Sequence, residues 1–180
     1  MAAEDAVLGV RSQGACRLER NDRFAVDALD EIDCAILAVL QERGDIANVA
    51  LAREVGLSAA ATLRRVQRLR SQGVIEDVRT IVSPEHVGLA VQAFVLVTLG
   101  AHGARSEARF ARALAGMPEV LRADSIAGGE DALLHVVAGS PAELHRLLLA
   151  LKRAGAGHVT TMLRLQAIKP PAPVPVRLPT

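Results

Sequence analysis

Apolar residues recur along this chain with two different periods, and the change between them falls near residue 74. Ile32, Ile36, Val39 and Leu40 return every three or four positions, the helical spacing, as far as Gly44. Asp30 stands where a helix N-cap belongs, and Asp33 falls in the first turn against the positive helix end. Val49, Leu51, Ala52 and Val55 mark a short second helix, with Asn48 as its cap and Gly56 as its stop. Ser58 caps a third helix that runs to Gln72 and is stopped by Gly73. Beyond it the pattern is extended, with Val74, Ile75, Val78, Ile81 and Val82 ended by Pro84. Three helices and a short ribbon predict a winged helix-turn-helix over residues 29–84, followed by a linker at 85–90.

From residue 91 the order reads strand, helix, strand, strand, helix, strand. Residues 91–99 are apolar on both faces, as a covered central strand requires. Phe110, Leu114 and Met117 share one side of a helix predicted over 106–117. Strands at 120–126 and 131–137 are joined by Gly128-Gly129-Glu130. Ser140, Pro141 and Glu143 then supply a cap, a first-position proline and a capping box. Leu144, Leu147, Leu148 and Leu151 form the stripe of that helix, and Val159, Thr161, Leu163, Leu165 and Ala167 alternate as a last strand. This βαββαβ order predicts a ferredoxin-like sandwich over residues 91–168, and the fold class is α+β. Five prolines predict an extended, solvated tail over 169–180, and the aperiodic residues 1–28 predict a flexible extension.

Composition narrows the function classes. The 180 residues are 51% hydrophobic, which suffices for two small cores. No apolar run reaches the roughly 18 residues of a membrane span, and the start MAAEDAVLG lacks the positive region of a secretory signal. A cytoplasmic location without membrane contact is expected. Cys16 and Cys34 are too few for a disulfide framework and have no zinc-finger spacing, so neither metal nor cofactor is expected. His86, His102, His135, His145 and His158 stand in no recognisable catalytic spacing, and no HExxH, GxSxG or phosphate loop occurs. The net charge of +1 leaves nucleic acid open. Trp and Tyr are absent and only Phe24, Phe94 and Phe110 are aromatic, so bases have almost no stacking platform. Any nucleic-acid target is therefore duplex.

The informative segment is Leu51-Ala52-Arg53-Glu54-Val55-Gly56-Leu57-Ser58. A helix-turn-helix needs a small residue where its helices approach (Ala52), a turn residue (Gly56), an apolar plug (Leu57) and a cap on the recognition helix (Ser58). Winding the third helix at 100° per residue buries Thr62, Val66 and Leu69 and turns Ala60, Arg64, Gln67 and Ser71 outward, with Arg68 beside them. Between Ser58 and Gln72 lie Arg64, Arg65, Arg68 and Arg70 and no acid. Arg64 and Gln67 are candidates for base contact, and Arg65, Arg68 and the wing residue Arg79 for phosphate contact. Ala60 can approach thymine methyls, and Asn48 and Ser58, at the helix starts, complete the candidate DNA-binding set. This reading requires the guanidinium groups to face outward over an apolar seam. If they instead fold against the chain's own acids, it is undone.

Taken together, Leu29-Asp30-Glu31-Ile32-Asp33, Ile36-Leu37, Val55-Gly56-Leu57-Ser58, Arg64-Arg65-Val66-Gln67-Arg68-Leu69 and Gly73-Val74-Ile75 resemble the Lrp/AsnC family. These are the leucine- and asparagine-responsive feast/famine regulators. The likeness runs through Pro84 and Gly88 and covers residues 29–168. It implies a transcriptional regulator that dimerises through its C-terminal sheets, with tetramers or octamers as higher assemblies, and a free amino acid as effector. Two departures stand out. The family's Gly-Asp-aromatic-Asp run is here Gly128-Gly129-Glu130-Asp131, followed by Ala132, and Ala59 replaces the proline favoured in the first turn of the recognition helix. Gly128, Gly129 and Asp131 are the candidate effector residues, and the paired glycines suit a simple tight turn equally well. Two other functions compete. One is an architectural DNA-binding protein without an effector. The other is a sirohaem decarboxylase-like enzyme, for which the aromatic-rich segment expected around a tetrapyrrole is missing.

Overall fold

The computed structural model describes residues 29–176, so the extension expected over 1–28 lies outside the described residues, as do Cys16 and the last four positions. Two compact units are present. One comprises the described residues up to Arg79 together with those from Ala172 onward; the other is Thr80–Pro171.

The first unit holds helices α1 (Glu31–Glu42), α2 (Asn48–Glu54) and α3 (Ala59–Ser71). Asp30 caps α1 through a bond from the Asp33 backbone N–H at 2.8 Å, and the Asp33 carboxylate accepts the Asp30 N–H in return, closing a capping box. Ile36, Leu37, Leu51, Val66 and Leu69 form the core, ringed by Leu29, Ile32, Val39, Leu40, Ile46, Val55, Val74 and Ile75. The expected ribbon does not form among the described residues. Residues 74–83 make no strand, and Ile81, 89% exposed, and Val82 are left largely uncovered by them. A lone extended segment gains ladder bonds only from a partner strand, and the described chain provides none here.

The Pro-rich tail is not simply solvated either. Its Val174 exchanges two hydrogen bonds with the Gln41 side chain, at 2.6 and 3.1 Å, and Val176 packs on the helical core. Proline segments adopt an extended form whose free carbonyls and N–H groups suit this docking on the surface of α1.

The second unit opens with a single 3₁₀ turn, Glu85–Val87. It then runs β1 (Val91–Leu99), α4 (Ala104–Leu114), β2 (Val120–Ser125), β3 (Ala132–Ala138), α5 (Pro141–Ala154) and β4 (Ala156–Leu163). All pairs are antiparallel in the order β2-β3-β1-β4, the ferredoxin-like arrangement. Alternate residues Ala93, Val95, Val97 and Leu99 of β1 point to the same side as Leu134, Val136 and Ala138 of β3. On that side Phe110 of α4 and Leu144, Leu147 and Leu151 of α5 bury them.

The α5 cap departs from the expected box by one residue. Ser140 Oγ accepts the Glu143 N–H, but the Glu143 carboxylate reaches the Gly139 N–H at 2.8 Å. Where β1 meets β4, Gly157 stands so close to Gly100 that an added Cβ would lie 2.8 Å from the Gly100 Cα. Only glycine permits that approach.

The opposite face of the sheet carries Phe94, Leu96, Leu133, His135 and Met162, with no helix of this unit over it. Phe94 and Met162 are exposed. His135 stacks on Phe94 with ring centroids 5.0 Å apart. Burial, and secondarily the nearby Arg164, hold the His135 pKa below the ordinary imidazole value.

Candidate nucleic-acid interface

The helix-turn-helix is built from a few local bonds. Leu57 N–H returns to the Ala52 carbonyl at 2.9 Å, and Gly56 adopts φ +68, a left-handed turn that disfavours side chains. Ser58 Oγ accepts the Ala61 N–H, one of the donors a helix start leaves unpaired, and the buried Thr62 hydroxyl donates to the Ser58 carbonyl. Asn48 is not a cap. Ala47 occupies the N-cap of α2 without a side-chain bond, and Asn48 Nδ2 donates instead to the Ala59 carbonyl at 2.8 Å. That bond ties the start of α2 to the start of α3. Half-buried and engaged in that bond, Asn48 has its amide nitrogen committed within the fold.

Helical winding holds along α3. Thr62, Val66 and Leu69 are buried, while Ala60, Arg64, Gln67 and Ser71 are exposed. Arg64 forms no ion pair with any described residue and, with Ala61, Arg65 and Arg68, lines an open concavity. Arg70 is exposed as well.

Arg65 and Arg68, the expected phosphate partners, differ from Arg64 in being paired with acids of the chain itself. Arg65 Nη1 donates to Asp30 Oδ2 at 2.7 Å and to Asp33 Oδ1 at 2.9 Å. Arg68 Nη2 donates to Asp33 Oδ2. Asp33 is only 1% exposed. The backbone N–H of Asp33, then the Arg65 guanidinium, hold the Asp30 carboxyl below the usual carboxylate range. Asp30 and Asp33 in turn raise the Arg65 pKa further. Thus the condition of outward-facing arginines is met at Arg64 and Arg70 and fails at Arg65 and Arg68. The cause is that α1 and α3 cross where the α1 cap carries two acids.

Arg79 is also paired, with its near neighbour Asp77, and it stands on an irregular segment rather than a wing. Asp77 accepts the Val78 N–H at 2.7 Å, a local turn that competes with strand formation.

The β2–β3 connection is tied to the end of β1. Asp131 N–H donates to the Val97 carbonyl at 2.9 Å, and its carboxylate accepts the Leu99 N–H at 2.7 Å. The Thr98 hydroxyl donates to Glu130, and His102 Nδ1 lies 3.8 Å from Asp131 Oδ2. Gly128 and Gly129 are exposed at the tip, with open space where side chains would stand. Asp131 therefore closes the end of the sheet, a use of the residue that its position in the sequence did not reveal. Among the described residues no group of His, Cys, Asp and Glu is arranged to hold a metal ion.

Comparison with known proteins agrees with this geometry. Residues 29–70 match the AsnC-type helix-turn-helix domain, and residues 92–174 match the Lrp/AsnC ligand binding domain. The chain is 33% identical over 149 residues to the HTH-type transcriptional regulator AldR of Mycolicibacterium smegmatis, covering 83% of this chain and 84% of that protein. It is 36% identical over 143 residues to the leucine-responsive regulatory protein of Rhizobium meliloti, covering 78% and 92%. A transcriptional regulator from Neisseria meningitidis, solved in complex with L-Met, superposes with a TM-score of 0.75 at 32% identity, covering 82% of this chain and 96% of that one.

Proposed function

The chain belongs to the Lrp/AsnC family of transcriptional regulators, and from that premise we propose that it binds duplex DNA in a sequence-dependent way through α3. The observation that carries the reading is the outward face of α3, where Arg64 and Gln67 stand above the buried Thr62, Val66 and Leu69. A helix so supported enters the major groove with few side chains reaching base edges, while phosphate contacts hold its register. Arg64 is suited to guanine and Gln67 to adenine. Ser58 and Ala60, at the exposed start of α3, complete the contact surface. Arg79, exposed on its irregular segment, stays a candidate phosphate contact within reach of Asp77.

The second unit joins two copies of the chain through its open sheet face. Phe94, Leu96, Leu133 and Met162 offer an apolar surface that gains from being covered. Two copies place two recognition helices on one duplex, and tetramers or octamers extend the same arrangement. The effector is a free amino acid, as the L-Met complex of the Neisseria meningitidis regulator suggests by analogy. Gly128, Gly129 and Asp131 are the candidate loop for it. The protein has no catalytic role and works in the cytoplasm; no helix among the described residues is long and apolar enough to cross a membrane.

Selection from a random duplex pool, with and without a mixture of amino acids, tests the reading. Enrichment of a defined motif, favoured over random duplex by ~10³ or more at physiological salt, is the expected result. An architectural protein would enrich no motif, and such an outcome overturns sequence-dependent regulation. A shift in affinity on adding the mixture supports an amino-acid effector, and its absence removes one.

A further inference from the structure

Four charged side chains meet where α1 and α3 cross. Asp30 and Asp33 carry two negative charges, and Arg65 and Arg68 two positive ones. Asp33 is the hub. Its Oδ1 accepts from Arg65, and its Oδ2 accepts from Arg68 and from the Asp30 N–H. A carboxylate this deeply buried persists because its oxygens are saturated by donors. Arg68 remains partly exposed and borders the same concavity as Arg64, on the side of α3 proposed to meet DNA. Without Asp33 it would be free to reach a phosphate.

We infer that Asp33 is a positioning residue that holds the Arg68 guanidinium away from the DNA backbone and so limits how tightly α3 grips duplex of any sequence. The inference rests on the reading of α3 as the DNA-contacting helix. Its physical basis is that phosphate attraction is blind to sequence, whereas base contact is not. Four free arginines on one helix would grip every duplex. With two cancelled, the charge on α3 is carried by Arg64 and Arg70, and discrimination falls to Arg64 and Gln67.

The test is a titration of a fluorescently labelled random-sequence duplex at several salt concentrations, read by anisotropy, for the native chain, Asp33→Asn, and Asp33→Asn combined with Arg68→Gln. Asp33→Asn releases one positive charge for each docked helix. The slope of log K against log salt should steepen by about 1 per docked helix, and binding at about 0.1 M salt should tighten roughly fivefold to tenfold for each docked helix. The double variant should return to the native slope. A merely structural role for Asp33 would lower the active fraction without steepening the slope. An unchanged slope in Asp33→Asn overturns the inference. So does a double variant whose slope is shallower than native by about 1, because Arg68 would then already touch phosphate in the native protein. If Asp33→Asn fails to fold by circular dichroism, the double variant decides alone, since it removes the stranded guanidinium along with its partner. A native chain that binds no duplex at low salt would instead remove the reading of α3 itself.

Discussion

Arg64 and Arg68 lie about 40° apart on one helix and still have different surroundings, because only Arg68 meets the acid at the start of α1. Arg64→Ala removes a side chain positioned for a base edge and should cut the preference for a selected motif over random duplex by about fivefold to a hundredfold, since a bidentate base contact contributes about 1–3 kcal/mol. A competition gel shift reads that ratio; an unchanged ratio would place the base contact elsewhere. The helical period was enough to say which α3 residues are buried and which are exposed. It could not say that Arg65 and Arg68 are paired, because Asp33 stands 35 positions from Arg68 and meets it only through the crossing of two helices. Asn48 shows the same limit. Its side chain competes for a local cap and for a carbonyl eleven residues on, and the fold gives it the latter.

At the scale of elements, the existence and order of the helices and strands are legible from the repeat of apolar positions, but bounds are not: the last strand, expected through Leu165 and Ala167, spans Ala156–Leu163, α4 starts at Ala104 rather than Ser106, and α2 is capped by Ala47. β1 occupies the expected 91–99, and Ser58 and Ser140 are the caps that the sequence predicts. Extended segments without regular pairing were not readable. Apolar residues at 74–82 resemble a strand in sequence, but a strand exists only if a partner accepts its hydrogen bonds. The tail fails in the opposite direction. Prolines exclude helix and interior strand, yet they leave the Val174 backbone free to dock on Gln41. Removing residues 172–180 should therefore destabilise the helical unit by about 1–2 kcal/mol, the net value of two exposed hydrogen bonds with partial burial of Val176. Urea unfolding followed by circular dichroism is the appropriate measurement, since the chain has no Trp or Tyr to report by fluorescence. A midpoint equal to that of the full chain would show the docking to be energetically idle.

For the whole molecule the open sheet face matters most. Phe94 stands at its centre, stacked on His135 and opposite Met162. Phe94→Asp puts a charge where a second copy is proposed to pack, and it leaves the helix-covered core untouched. The variant should elute as a monomer in light-scattering chromatography and bind a two-site duplex at least about a hundredfold more weakly, because the second recognition helix no longer acts at high effective concentration. A variant that remains a dimer would move the interface to another surface.

Local periodicity and capping chemistry alone determined the two-unit plan, the βαββαβ order, the turn at Gly56 and the outward face of Arg64 and Gln67, since each depends on residues a few positions apart. The tertiary structure decided which charges cancel, where Asp131 ends its sheet, that no wing strand pairs and that the tail returns to α1. These depend on groups distant in sequence whose meeting is set by how helices cross and strands align, and no local pattern encodes such a meeting.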